Sequence, residues 1–280
     1  MDTLIFYFKT YPTVRYSTLV LALVSLCAAL LGVSLVLKRF SMIGDGLSHV
    51  AFGATSIATA ASFAPVYIAL PFTVVAAVLL LRIRSNTKIQ GDAAIAMISA
   101  GALAFGYMML NLFPSKSSSI SGDACSTLFG SASIIGIKKS DVILCAVLAL
   151  VVLFVFIFFY HKIFAVTFDE SFASATGTKA EVYNTLIAVI TGVVIVMAMN
   201  MVGALLISAL ITFPALSSMR VFKTFKKVII CSALLAVACA LIGTVICILA
   251  STPVGSTIAL TNIAAFGIFY VIGLIKTGKA

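Results

Sequence analysis

An aspartate and a histidine lie four residues apart in SMIGDGLSHVAFGA, inside an otherwise apolar stretch of the chain. On a helix, Asp45 and His49 would share one face, with their β-carbons about 5–6 Å apart. Charged groups at membrane depth are costly and usually face a bundle interior or a wet cavity. A carboxylate and an imidazole are ligands that suit Zn²⁺, Mn²⁺ or Fe²⁺. The pair therefore indicates a metal site.

Two ligands are too few for such an ion, which takes about four to six. The other histidine, His161, lies on the cytoplasmic side of a different span. A twofold-symmetric dimer would complete the set, because its axis duplicates Asp45 and His49 into four ligands. The alternative is structural: Asp45 caps a helix at the membrane surface, and His49 bonds a carbonyl there.

A second polar segment, FDESFASATGTK at 168–179, is acidic at its start and has a glycine near its end. It predicts a surface helix with Asp169 and Glu170 in the first turn and Gly177 as the C-cap. The segment either connects two spans or docks a cytoplasmic partner.

A third segment, VGALLISALITFPALSSMR at 202–220, contains Gly203, Ser208 and Pro214. These residues predict a discontinuous helix, which membranes tolerate only where protein or a cavity surrounds the break. The alternative is a kinked helix with no role in transport.

The composition determines the class of protein that must position these residues. Of 280 residues, 62% are hydrophobic and 9% are charged, whereas soluble domains are about 25% charged. A soluble enzyme, a nucleic-acid-binding domain and a disordered chain are thus excluded. The six cysteines show no CxxC motif and are interpreted as small buried hydrophobes. We expect an all-α polytopic membrane protein, one domain over 1–280, surrounded by membrane lipid and without a nucleic-acid partner.

Apolar runs of about 20 residues predict eight to nine transmembrane helices. Residues 1–15 are expected to form an interfacial segment, and 161–181 a cytoplasmic one. The stretch 182–219 is interpreted as two segments that meet at a break, the second short or irregular. The predicted spans are 16–37, 44–63, 65–82, 92–113, 141–160, the two within 182–219, 228–250 and 254–275.

Basic residues predict the orientation, because cytoplasmic loops carry an excess of lysine and arginine. With nine crossings, the N-terminus outside and the C-terminus inside, thirteen of the eighteen basic residues fall on the inner side. A single crossing by 182–219 would place the cluster from Arg220 to Lys227 outside, so two crossings are favoured. The inner set is Lys38, Arg39, Arg82, Arg84, Lys88, Lys162, Lys179, Arg220, Lys223, Lys226, Lys227, Lys276 and Lys279.

Three motifs in this order resemble the metal-ion ABC permease family, the membrane subunit of bacterial zinc, manganese and iron importers. KRFSMIGDGLSHVAFGA resembles its basic-Ser-x-x-Gly-Asp-x-x-Ser-His segment, and FDESFASATG its Phe-Asp-x-x-x-Ala-x-x-x-Gly coupling motif. VGALLISALITFPALSSMR resembles its Val-Gly-x-Leu-Leu-x-x-Ala-Leu-x-x-x-Pro-Ala segment. The similarity extends over about 30–275.

The resemblance implies a homodimer in the plasma membrane that works with cytoplasmic ATPases and an extracytoplasmic metal-binding protein. Asp45 and His49 would be transient metal ligands on the pathway. No cofactor would be bound permanently, since the divalent metal is the substrate. The chain has no G-x-x-x-x-G-K-[ST] loop, so it is expected not to be an enzyme and to rely on a separate ATPase. The expected coupling residues are Phe168, Asp169, Glu170, Ala173 and Gly177.

The sequence departs from the family pattern at a few positions. Ser131 stands where an Asp or Asn is usual, which leaves the role of the external loop 114–140 open, and Thr212 and Phe213 replace aliphatic residues. Two other functions remain to be weighed. One is an ion- or proton-coupled secondary transporter that uses Asp45 and His49 as a relay, which a missing inverted repeat disfavours. The other, an intramembrane enzyme, would need a fuller catalytic cluster.

Overall fold

The described part of the protein is almost entirely helical. A computed structural model describes residues 10–61, 63–83, 91–113 and 137–277. The helices in these residues are α1 (Pro12–Leu37), α2 (Ile43–Ala60), α3 (Pro65–Ile83), α4 (Gly91–Leu112), α5 (Lys139–Phe158), α6 (Tyr160–Phe168), α7 (Glu170–Ala175), α8 (Ala180–Val202), α9 (Ala204–Val221), α10 (Phe225–Ala250) and α11 (Val254–Thr277).

Eight of these helices are long and apolar enough to cross a membrane, which confirms the predicted polytopic all-α fold. They are α1, α3, α4, α5, α8, α9, α10 and α11. The helix α2 has 18 residues, or about 27 Å of length, but its polar residues keep it outside that set. Residues 1–9 of the expected interfacial segment and 114–136 of the expected external loop, including Ser131, lie outside the described residues.

Side-chain contacts show which helix ends lie together. Lys38 at the end of α1 donates a hydrogen bond to Asn184 near the start of α8. Arg82 at the end of α3 pairs with Glu181, with 2.6 Å between guanidinium nitrogen and carboxylate oxygen. Both α1 and α3 therefore end beside the start of α8. The helix between them, α2, must run to the opposite side and α3 must return, so α2 acts as a ninth crossing.

Contacts of α9, α10 and α11 extend the same end of the bundle. The guanidinium of Arg220 lies 5.0 Å from the centre of the Tyr270 ring. The ring of Phe225 packs 5.7 Å from Tyr160, which starts α6, and 5.8 Å from Phe168, which ends it. We name this side the basic end. Its members are the ends of α1, α3, α9 and α11, the starts of α8 and α10, and the helices α6 and α7.

The stretch predicted to contain a break crosses twice. Helix α8 begins at the basic end and α9 finishes there, so the chain leaves along α8 and returns along α9. The two helices meet at Gly203, whose φ of 92° is strained for residues with a side chain. Ser208 and Pro214, also predicted as breaks, lie inside a continuous α9. The neighbouring helices α1, α10 and α11 pack against α9, and this surrounding protein tolerates a proline inside a continuous helix.

Two short helices occupy the predicted cytoplasmic segment between α5 and α8. Asp169 caps α7, since its carboxylate accepts a hydrogen bond of 2.9 Å from the backbone N–H of Phe172. The C-cap of α7 is Thr176, one residue before the predicted Gly177, and Gly177 follows it with a φ of 81°, the left-handed conformation common directly after a C-cap. The predicted surface helix, with its acidic start and glycine end, is thus present.

Close helix packing depends on Gly32 of α1. A β-carbon at this position would overlap the backbone carbonyl of Ile211 in α9. We expect Gly32→Ala to destabilise the protein by about 1–3 kcal/mol, because a backbone cannot yield as a side chain can. Thermal unfolding in detergent measures the effect. Gly101→Ala is the control, since nothing lies within 4 Å of its added β-carbon. Equal melting temperatures for both variants would contradict the packing.

The glycine that follows the C-cap of α7 gives a second prediction. Gly177→Ala forces a side chain into the left-handed region at a cost of about 1–2 kcal/mol. Hydrogen–deuterium exchange of residues 170–176 should become faster. Gly177→Asn is the matched variant, because asparagine adopts this conformation more readily. Unchanged exchange in Gly177→Ala would show that the cap does not hold α7.

Candidate functional site

The aspartate and histidine singled out by the sequence contact each other on α2. The distance between Asp45 Oδ1 and His49 Nε2 is 3.5 Å, and the two side chains are 41% and 16% exposed. Asp45 lies in the first turn of the helix, where the positive end of the helix dipole favours a carboxylate. The structure thus brings the two predicted ligands together.

Close packing on both sides determines where this pair points. Helix α9 approaches α2 at Gly44, and α4 approaches it at Gly46. Successive residues of a helix are turned by about 100°, so these two glycines face nearly opposite directions. Asp45 projects between them to a third side, and His49 shares that side one turn later. The pair therefore occupies an open face of α2 flanked by α4 and α9.

The separation of the two polar atoms fits an ion better than a hydrogen bond. Zinc bonds of about 2.0–2.2 Å to nitrogen and oxygen place two tetrahedral ligands about 3.4 Å apart. The observed 3.5 Å is close to this value, whereas a strong hydrogen bond would be about 2.7–2.9 Å.

One chain supplies only part of a metal site. Among the described residues no group of three or more His, Cys, Asp or Glu side chains is placed to hold an ion. The second ring nitrogen of His49, Nδ1, is buried and has no hydrogen-bond partner there. In metal sites this nitrogen usually donates to a carboxylate, carbonyl or water. Both the ligand number and the histidine's second bond are incomplete.

Two hydroxyl-bearing residues of α9 were not proposed as site residues, and one of them, Ser208, lies beside this face. The α-carbon of Ser208 packs against Gly44, and Thr212 follows one turn later. Both side chains are half-buried and bond backbone carbonyls of α9. In the sequence, a spacing of four residues within an apolar stretch is the feature that could have pointed to both hydroxyls. Thr212 was noted there only because it replaces an aliphatic residue of the family pattern.

The predicted coupling residues gather on α7 and its flanks. Ala173 is fully buried against Val166 and Ala180, which anchors α7 to the neighbouring helices. Phe168 is exposed and packs 4.8 Å from Phe164, measured between ring centres. Glu170 accepts a hydrogen bond of 2.8 Å from Asn184. Phe172, which the sequence analysis did not single out, is also exposed.

A cavity of about 960 Å³ opens beside α7 at the basic end. Charged and amide side chains line much of it, from the ends of α1 and α3, from α7 and from the start of α8. They are Lys38, Arg82, Asp169, Glu170, Glu181 and Asn184. This cavity is separate from the open face of α2, since none of its lining residues belongs to that helix.

Known proteins match the chain over most of its length. The model of the ABC 3 transport family matches residues 10–274. The manganese import system permease ScaB of Streptococcus gordonii is 27% identical over 243 residues, which cover 87% of this chain and 85% of ScaB. The zinc uptake membrane protein ZnuB of Haemophilus influenzae is 25% identical over 205 residues, covering 73% and 76%.

A solved structure shares the fold. The PsaBC structure from Streptococcus pneumoniae, in complex with Fab, matches with a TM-score of 0.81 and 24% identity, covering 96% of this chain and 94% of that one. These matches decide against the secondary-transporter and enzyme alternatives, and the ATPase is a separate chain. The protein belongs to the ABC 3 transport family and is a multi-span metal ABC transporter permease of the bacterial plasma membrane.

Proposed function

We propose that this permease imports a divalent transition metal ion, Zn²⁺ or Mn²⁺, through a site that two copies of the chain build from Asp45 and His49. The observation that carries the proposal is the 3.5 Å separation of Asp45 Oδ1 and His49 Nε2 on an open helix face. That spacing suits an ion, and the open face leaves room for a second copy.

A dimer supplies the ligands that the single chain lacks. Its twofold axis, passing in front of the open face of α2, brings a second Asp45 and His49 to the same ion. The ion then has four protein ligands. Two carboxylates and two neutral imidazoles offset the charge of a divalent cation, which removes the cost of a bare carboxylate at membrane depth.

The choice of metal depends on how many further ligands the site accepts. Four ligands alone give the tetrahedral arrangement that Zn²⁺ takes, whereas Mn²⁺ prefers additional oxygen ligands. Among similar proteins, ScaB of Streptococcus gordonii is named for manganese import and ZnuB of Haemophilus influenzae for zinc uptake. The hydroxyl of Ser208, beside the face, is an oxygen that would favour Mn²⁺ if it joined the ligands.

Orientation and partners complete the proposal. The basic end faces the cytoplasm, so that the chain starts outside and finishes inside, in agreement with the excess of positive charge at that end. A cytoplasmic ATPase docks on α7, where Phe168 and Phe172 are exposed and Ala173 is anchored to the bundle. An extracytoplasmic binding protein releases the ion at the opposite end.

Transport by the assembled importer tests the metal site. The permease, its ATPase and the binding protein are reconstituted in liposomes, and ATP-dependent uptake of Zn²⁺, Mn²⁺ and Fe²⁺ is measured. Asp45→Asn and His49→Ala should each reduce uptake of the natural ion by more than about tenfold, because each removes a direct ligand twice per dimer. The ion with the largest native rate identifies the cargo.

Asp92→Asn is the matched control. Asp92 also lies in the first turn of a long helix, α4, and its side chain is exposed. This variant should transport as the native protein does. If Asp45→Asn and His49→Ala assemble with the ATPase and still transport at the native rate, the pair is structural and the proposed site is wrong.

A further inference from the structure

Three side chains form a continuous polar bridge across the basic end. Lys38 Nζ donates a hydrogen bond to Asn184 Oδ1. Asn184 Nδ2 in turn donates to Glu170 Oε1 at 2.8 Å. The bridge therefore joins the end of α1 to α7 through the start of α8, although its outer members are far apart in the sequence.

Chemistry fixes the direction of the amide in this bridge. An ammonium only donates hydrogen bonds and an ionised carboxylate only accepts them. The amide of Asn184 must therefore turn its oxygen towards Lys38 and its nitrogen towards Glu170. The opposite orientation would place two donors together at one partner and two acceptors at the other. Lys38 is only 5% exposed, so this arrangement also helps to satisfy a buried positive charge.

The bridge spans a cavity and is not part of an apolar packing contact between helices. All three side chains line the cavity of about 960 Å³ at the basic end. Helix α7 packs against α6 and the start of α8. Both α6 and α8 also pack against α1, and the polar bridge adds a side-chain link from α7 to α1 through Asn184 and Lys38.

Lys38 is also close in sequence to the proposed metal ligands, Asp45 and His49. It directly follows α1, and α2 begins at Ile43. The short connection is held by backbone hydrogen bonds, of 2.9 Å from the N–H of Phe40 to the carbonyl of Leu35 and 3.2 Å from the N–H of Ile43 to the carbonyl of Phe40. Because this turn is short and hydrogen-bonded, a movement of Lys38 shifts the start of α2, which carries Asp45.

We propose that Lys38 and Asn184 are positioning residues that transmit the movement of α7 to the metal-binding face of α2. This inference rests on the proposed function, in which a separate ATPase moves α7. Lys38 and Asn184 contact neither the ion nor ATP. Their role is to couple the ATP-driven step to opening of the metal site.

The substitution Asn184→Asp tests the bridge at its centre. An aspartate at 184 still accepts a bond from Lys38, but it has no donor for Glu170 and repels its carboxylate. The complex should assemble and hydrolyse ATP, while the number of metal ions transported per ATP falls roughly tenfold. This ratio is the readout, because a merely unstable permease would lower transport and hydrolysis together.

A second substitution should restore the bridge. In N184D/E170Q, the amide nitrogen of the new glutamine donates to the new aspartate, so both links exist again with one reversed. The ions transported per ATP should return to within about threefold of the native ratio. Lys38→Met, which breaks the other link, should lose coupling as Asn184→Asp does and provides an independent test should that variant fold poorly.

Thr185→Val is the control within the same cavity. Thr185 neighbours Asn184 in the sequence and lines the cavity, but it is not part of the bridge. Its variant should couple normally. Native coupling in both Asn184→Asp and Lys38→Met would overturn the bridge. A native complex that hydrolyses ATP but transports no metal would instead overturn the proposed function.

Discussion

The cost of placing a carboxylate and an imidazole in a membrane-embedded bundle is the constraint on which this structure depends. A charged group costs at least about 2.5 kcal/mol at the centre of a membrane-spanning helix on insertion scales and less towards its ends, where the first turn of α2 places Asp45. Asp45 and His49 lie 3.5 Å apart on a helix too polar to count as a span by composition. The pair lies on an open face of α2, and in the proposed function a divalent ion shared with a second copy offsets this cost.

The surrounding helices are arranged to keep that face open and in place. Glycines at 44 and 46 let α9 and α4 approach α2 closely on two sides, so the third side is left to the ligands. The short hydrogen-bonded turn before α2 ties it to Lys38. From there the polar bridge leads to α7. The bridge and this turn therefore connect the face that carries Asp45 and His49 with α7, the helix proposed to dock the ATPase.

Much of this organisation follows from local sequence patterns. Apolar runs predicted the long helices to within a few residues, Gly203 predicted the break, and the spacing of Asp45 and His49 predicted their contact. The bridge was not predictable, because Lys38 and Asn184 are 146 positions apart and only the folded bundle brings them together. Pro214 misled the local prediction, since packing from neighbouring helices keeps α9 continuous there.

The central claim is that two chains share one metal site. Equilibrium binding of Mn²⁺ or Zn²⁺ to the purified permease, measured together with its oligomeric state, tests this most directly. A shared site predicts one ion bound for every two chains, with that binding lost in His49→Ala. One ion for every single chain, or binding unaffected by His49→Ala, would contradict the account.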